Sequence, residues 1–193
     1  MNAPSPLYPL FLLLGGRTVV VLGAGAVAER KIEELIGAGA KVRVVAPEAT
    51  DRVRALAAGS AVTWERRAFA SSDLDGAWLV VSATGDAEVQ RRIFQEAEAR
   101  HVFVLAVDDL PHGSAYGGAI IRRPPFIVSI SSSAEAPGLT RLLREVIEQA
   151  LPDERWVAAA RTLRARWKKD KTPMASRFPE LLREFTKMDR SDG

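Results

Sequence analysis

The sequence predicts an α/β protein in three parts. These are a parallel-sheet domain over residues 1–112, a small segment over 113–152 and a helical C-terminal domain over 153–193. Three observations carry this. Short apolar runs alternate with helical stretches from Thr18 to Val107, the pattern of strand–helix–strand crossovers in a parallel sheet. A glycine turn, Gly23-Ala24-Gly25, stands where the first apolar run passes into the first helix. The alternation then stops after Asp109, and a mostly helical stretch lies beyond Pro152.

Each element has a local reason. Thr18 to Leu22 is an apolar run between Gly15-Gly16 and Gly23, a strand buried on both faces. Ala26 to Gly37 is a helix with Val27, Ile32, Leu35 and Ile36 on its apolar side, ended by Gly37 and Gly39. Lys41 to Ala46 is a second buried strand, stopped by Pro47. Residues 49–58 are helical, and Val62 to Glu65 is a short third strand. Trp78 to Ser82 is the fourth, followed by a helix from Ala87 to Arg100. Val102 to Val107 is the fifth, with His101 at its start. Leu110 to Gly113 is a loop. Phe126 to Ser131 is a further strand introduced by Pro124-Pro125, and a helix runs from Pro137 to Leu151, with proline suited to its first turn. The tail beyond Pro152 is helical and holds Trp156, Trp167 and Phe185.

Composition narrows the chemistry. Hydrophobic residues make up 47% and charged residues 26% of 193 positions, the mix of a globular protein. With no cysteine there is no disulfide framework, thiolate nucleophile or Cys-based metal site. With only His101 and His112, a multi-histidine metal centre is not expected. The run Leu7 to Leu14 contains Pro9, is too short to span a bilayer and has no basic residue before it, so no membrane association is expected and a cytoplasmic protein is. The formal charge is +3, but residues 151–193 alone carry 11 Lys/Arg against 7 Asp/Glu. This basic tail is either a solvated helical face or a surface for an anion.

Gly23-Ala24-Gly25-Ala26-Val27-Ala28 reads G-x-G-x-x-A in the context a dinucleotide fingerprint requires, after a buried strand and at the opening of a helix. Gly23 permits the tight turn, Gly25 lets the backbone approach a pyrophosphate, and Ala28 lets helix pack closely on strand. The backbone of Ala26 and Val27 then faces the phosphates at the helix N-terminus. Ala46-Pro47-Glu48 succeeds the second strand, and Glu48 lies where an acid would hold the ribose hydroxyls. That acid favours NAD over NADP, whereas Arg43 and Arg52 nearby keep the phosphorylated form open, and a merely solvated Glu48 is the plain alternative. Thr84, after the fourth strand, lies on a second loop at the same edge.

No Tyr-x-x-x-Lys pair exists, since Tyr8 and Tyr116 have Leu12 and Ile120 at that spacing, which sets short-chain dehydrogenases aside. His112 stands in a loop near Asp108 and Asp109. The pair Asp108-Asp109 closes the fifth strand, where ligands of open parallel sheets bind. A carboxylate there can act as general base or simply terminate the strand as a turn residue.

Taken together, the chain resembles precorrin-2 dehydrogenase, which is also the N-terminal module of siroheme synthases. The resemblance rests on Tyr8-Pro9-Leu10-Phe11-Leu12, Gly23-Ala24-Gly25 with Ala28 and Lys31, Val44 to Glu48 and Ser82-Ala83-Thr84. It continues through Val107-Asp108-Asp109, Ile121 to Pro125, Ile130-Ser131-Ser132 and Pro137 to Glu145, so that it spans about residues 6 to 152 in order. It implies a Rossmann-type NAD-binding domain, a dimerisation segment giving a homodimer, and a helical C-terminal domain. It implies oxidation of precorrin-2 to sirohydrochlorin with NAD+ accepting a hydride. It also implies that Asp108 is the essential aspartate and that Ser132 lies near the active-site cleft, with Arg122 and Arg123 beside it to receive a polycarboxylate tetrapyrrole. The anion expected at the basic tail is then this substrate and not nucleic acid. Leu13 replaces a usual aspartate, residues 113–118 replace a usual Cys/Ser-x-Phe-Ile-x-Pro stretch, and Ala134-Glu135 replaces a common Gly-Gly pair. Two other readings remain: a dehydrogenase that also inserts iron into its product, with Asp108 stripping the pyrrole protons and no resident metal, and a non-catalytic NAD-sensing domain.

Overall fold

Valine dominates the central strands because its branched side chain packs well on a pleated surface covered on both faces. The computed structural model describes residues 7–107, 109–133 and 135–190. Five strands form one sheet: β1 (Thr18–Leu22), β2 (Lys41–Val45), β3 (Thr63–Glu65), β4 (Leu79–Ser82) and β5 (Phe103–Ala106). Their order is β3-β2-β1-β4-β5 and every pairing is parallel. Alternate valines feed two cores. Val19, Val21, Val42, Val44 and Val81 pack with Ala28, Ile32 and Leu35 of α1 (Ala26–Gly37) and Val53 of α2 (Asp51–Ala58). Val20, Leu22, Val45, Val80 and Val104 pack with Ile93 and Ala97 of α3 (Ala87–Glu98) and with Leu74. Each valine, leucine or isoleucine buried this completely contributes about 1.5–3 kcal/mol.

Three places differ from the sequence reading. His101 does not begin a strand. It takes a left-handed turn, φ 56°, and β5 starts two residues later. Residues 113–117 are tied to β5 rather than to the hairpin after them. The Ser114 and Ala115 amides both donate to the Val104 carbonyl at 2.9 Å, and Ala115 bridges Leu105. The chain divides into two units between Gly117 and Gly118. In the second unit, Ala119–Arg123 forms a strand, β6, that the sequence does not announce. It pairs antiparallel with β7 (Phe126–Ile130) through a turn at Pro124-Pro125. Two adjacent isoleucines before two arginines show no period of two, so only the partner strand defines it.

The second unit continues with α4 (Pro137–Ala150), α5 (Glu154–Lys169) and α6 (Met174–Arg190). Trp156 stacks on Phe185 with ring centroids 4.4 Å apart, while Val157, Leu163 and Trp167 are buried. Helix α4 has no buried residue. Leu139, Leu142, Leu143 and Val146 are exposed on it, as are Phe126 and Ile127 on β7. Among the described residues no helix is long and apolar enough to cross a membrane.

The β3–β4 connection crosses β2 and β1 without an α-helix, and an ion pair between exposed Arg67 and buried Asp73 fixes its path. Arg67 embraces both carboxylate oxygens of Asp73 at 2.6 and 2.8 Å, and the Ala70 amide donates to the same carboxylate at 2.8 Å. Asp73 is 2% exposed. The Arg67 guanidinium holds the Asp73 carboxyl below the usual carboxylate range, with burial opposing it and the Ala70 amide assisting. A lowered native pKa means that the stabilisation is complete above the unfolded value near 4 and is lost as pH falls through the native one. Asp73→Asn should therefore destabilise the protein by roughly 1–3 kcal/mol at pH 7. It should also flatten the wild type's loss of stability below about pH 4. Urea titrations of both proteins at pH 7 and pH 3 measure this, and parallel pH dependence in the two would contradict the assignment.

Candidate functional site

The chain leaves β1 in one direction to build β2 and β3 and returns to build β4 and β5 on the other side. The crevice outside the carboxyl ends of β1 and β4 is thus the switch point, where ligands of open α/β sheets bind. Gly23 and Thr84 meet there. Gly23 has φ +105°, and a Cβ on it would lie 2.8 Å from the Ala83 carbonyl carbon and 3.3 Å from the Thr84 nitrogen. The glycine is therefore required twice over, for its backbone conformation and for the close approach of two loops.

Gly25 has a different reason. Its φ is an ordinary −79°, and a Cβ there would meet nothing of the protein within 4 Å. It is the N-cap of α1 and gives that helix no side-chain cap, whereas Thr50, Asp86 and Asp153 each accept first-turn amides of α2, α3 and α5. The exposed first turn at Ala26 and Val27 so presents amides and the positive helix end to open space. Ala28 is fully buried against the sheet. These residues fit a dinucleotide pyrophosphate: open space, free amide donors and a positive dipole end coincide at one helix terminus.

The third loop, after β2, is tied to the first. The Gly23 amide donates to the Val45 carbonyl at 3.0 Å, and the Thr50 amide to the Ala24 carbonyl at 3.1 Å. The Thr50 hydroxyl also donates to Glu29 at 2.7 Å. From β3 and the residue beyond it, Trp64 Nε1 donates to the Ala46 carbonyl at 3.0 Å and Arg66 Nε lies 3.4 Å from the Pro47 carbonyl. Ala46 is buried, and Pro47 and Glu48 are exposed. Gly23, Gly25, Ala26, Val27, Ala46, Pro47, Glu48 and Thr84 thus gather on one sheet edge. Trp64, Thr50 and Arg66 were not legible as members of it, because each acts through a backbone carbonyl or a side chain distant in sequence. Ser82, the last residue of β4, is buried with its hydroxyl unpartnered among the described residues.

Asp108 lies outside the described residues. Its neighbour Asp109 holds His112 Nδ1 at 2.8 Å, and the imidazole edge meets the Phe94 ring at 6.0 Å. His112 is therefore not a solitary loop histidine. The substrate candidates Ser132, Arg122 and Arg123 belong to the second unit. Ser132 Oγ accepts from the Ala136 amide at 3.1 Å and the Thr140 hydroxyl at 2.9 Å, so it organises the start of α4. Arg123 Nη1 donates to the Leu151 carbonyl at 2.8 Å and caps the end of α4, while Arg122 is exposed. Among the described residues no cluster of three His, Asp or Glu could hold a metal ion.

A family model described as putative NAD(P)-binding matches residues 10–119, more than half of the chain. The chain is 48% identical over 144 residues to "Siroheme synthase 1" of Cronobacter sakazakii, a match covering 75% of this chain and 31% of that protein. It is 42% identical over 152 residues to "Siroheme synthase 3" of Aeromonas hydrophila, covering 79% and 32%. The chain thus spans about a third of the length of these curated relatives. A solved structure titled "SirC, precorrin-2 dehydrogenase" has the same fold, with a TM-score of 0.73 over 92% of this chain and 88% of that one, at 21% identity.

The two glycines should separate cleanly on substitution. Gly23→Ala combines a left-handed backbone with a collision and should lower stability by at least roughly 1–3 kcal/mol. Gly25→Asp should leave the melting temperature unchanged or raise it, since aspartate is a good N-cap, yet abolish NAD+ binding by placing a carboxylate at the free amides. Thermal melts with calorimetric NAD+ titration test this. Undiminished affinity in folded Gly25→Asp would remove the pyrophosphate from this turn.

Proposed function

Because the chain belongs to the putative NAD(P)-binding family, we propose that it is an NAD-dependent dehydrogenase that oxidises precorrin-2 to sirohydrochlorin in siroheme synthesis. The observation that carries this is the uncapped Gly25 turn at the switch point, within the part of the chain that is 42–48% identical to siroheme synthases. The tetrapyrrole loses a hydride and a proton, and gains conjugation. NAD+, when bound, accepts the hydride. The amides of Ala26 and Val27 hold the pyrophosphate, and Glu48 accepts from the ribose hydroxyls. Asp108 receives the proton. Asp109 pairs with His112 instead of sharing that task, an arrangement supported by their 2.8 Å contact.

Arg122, with Ser132 and Arg123, takes the peripheral carboxylates of the substrate. The basic excess of residues 151–193 supports electrostatic steering of such a polyanion. The protein acts in the cytoplasm with no nucleic-acid partner. It works as a homodimer in which the apolar face of α4 meets a second copy. Support comes from Leu142 and Val146, which are 55% and 54% exposed on a helix with no buried residue.

Two measurements test this reading. Absorbance of the intact protein mixed with precorrin-2 and NAD+ should develop into the spectrum of sirohydrochlorin. Asp108→Ala should slow it about 10²–10⁴-fold, and Asp109→Ala should slow it less. No spectral change in the wild type would sink the proposal, and added Fe2+ would reveal any chelatase step. Light scattering should give a dimer at micromolar concentration, and Leu142→Glu with Val146→Glu should give monomer. A wild-type monomer would refute the dimer.

A further inference from the structure

The charged groups around the third loop do not all remain available to a ligand. Arg43, a candidate for a nucleotide phosphate on sequence grounds, is half-buried. It donates to the Asp73 carbonyl and lies 3.7 Å from Glu65. Arg52, the other candidate, is paired with Glu33 at 2.7 Å. Arg54 is paired with Asp51 at 3.1 Å, and Glu29 accepts from Thr50. Two charges remain. Glu48 is exposed and has no hydrogen-bond or ion-pair partner among the described residues. Arg66 is exposed and, among the described residues, touches only the Pro47 carbonyl, through Nε, so that its two terminal nitrogens have no partner among them.

Arg66 comes directly after β3, which lies parallel to β2 with Glu65 opposite Val45. It therefore stands at the carboxyl edge beside the loop that carries Glu48. We propose that Arg66 is the specificity-determining cation of this nucleotide site. In this arrangement Glu48 favours the free 2′-hydroxyl of NAD+, and Arg66 opposes it by offering a guanidinium to the 2′-phosphate of NADP+. The protein then prefers NAD+ but retains measurable NADP+ binding. The inference rests on the dinucleotide reading of the Gly23–Gly25 turn.

The chemistry is asymmetric. A carboxylate accepts a hydrogen bond from a hydroxyl but repels a phosphate, whereas a guanidinium presents parallel donors suited to a phosphate and gains little from a hydroxyl. Tethering Nε to Pro47 restrains the side chain near the ribose loop before any ligand arrives. Trp64, which donates to the adjacent Ala46 carbonyl, only shapes the loop and carries no charge. The two neighbours can therefore be told apart: a change at Trp64 acts on both nucleotides alike, and a change at Arg66 acts on one.

The test is calorimetric titration of NAD+ and NADP+ into the full chain as wild type, Glu48→Gln, Arg66→Gln, the double variant and Trp64→Phe. Glu48→Gln should shift the NADP+/NAD+ affinity ratio about ten-fold towards NADP+, and adding Arg66→Gln should cancel that shift. Arg66→Gln alone should weaken NADP+ about ten-fold and change NAD+ by less than two-fold, and the NADP+ effect should shrink as salt is added. Trp64→Phe should move both affinities together. A ratio unaffected by Arg66→Gln in both backgrounds would overturn the assignment. Failure of the wild type to bind either nucleotide would instead remove the dinucleotide reading beneath it.

Discussion

The contact between Gly23 and the Ala83 carbonyl is the constraint on which the rest of the sheet edge depends. Strands β1 and β4 are neighbours, in register from Val19 opposite Leu79 to Leu22 opposite Ser82. Just past that register the chain must turn into α1 while the other strand turns towards α3. The two turns touch, and only a residue without Cβ, in a left-handed conformation, can occupy the contact. From there the order propagates by hydrogen bonds: Gly23 to Val45, Thr50 to Ala24 and Trp64 to Ala46. Three loops that belong to different crossovers thus form one rim, and the helix α1 begins on it.

What this rim leaves unsatisfied is as informative as what it satisfies. Three helices of the protein spend an aspartate or threonine side chain on their first turn, whereas α1 begins on a glycine with space before it. The arginines near the rim are mostly consumed by internal partners: Arg67 and Arg43 by the Asp73 cluster, Arg52 by Glu33. The field at the edge is consequently set by a helix dipole and a few uncompensated side chains, not by the many charges that the sequence shows in that region.

The second unit is built on another balance. Its hairpin and α4 place large apolar residues outward, and α4 lines its polar side with i,i+4 ion pairs such as Arg144 with Glu148 at 2.7 Å. Leu139, Leu142, Leu143 and Val146 stand outward on α4, and outward leucines on an amphipathic helix are costly in water. The α5–α6 pair makes a small core of its own, closed by the Trp156–Phe185 stack and by Trp167, whose Nε1 donates to Glu180.

Local signals determined a good part of this protein by themselves. The valine runs, the G-x-G-x-x-A turn and the strand–helix rhythm depend on residues close in sequence, and they specified five parallel strands, their helices and the glycine turn that opens α1. The same signals were silent about β6, because Ala119–Arg123 has no period of its own and becomes a strand only by pairing with Phe126–Ile130. They misplaced His101, whose left-handed turn arises from how α3 must end before β5 can enter the sheet. They divided the chain at residue 113, whereas the hydrogen bonds of Ser114 and Ala115 to β5 carry the first unit to Gly117. Above all, a sequence lists charges without their partners. Only the tertiary structure decided that Arg43 and Arg52 are spent. It alone brought Arg66 to the Glu48 loop, because contacts such as those of Arg43 with Asp73, Arg52 with Glu33 and Arg66 with Pro47 join residues far apart in sequence. Such contacts depend on strand order and not on spacing.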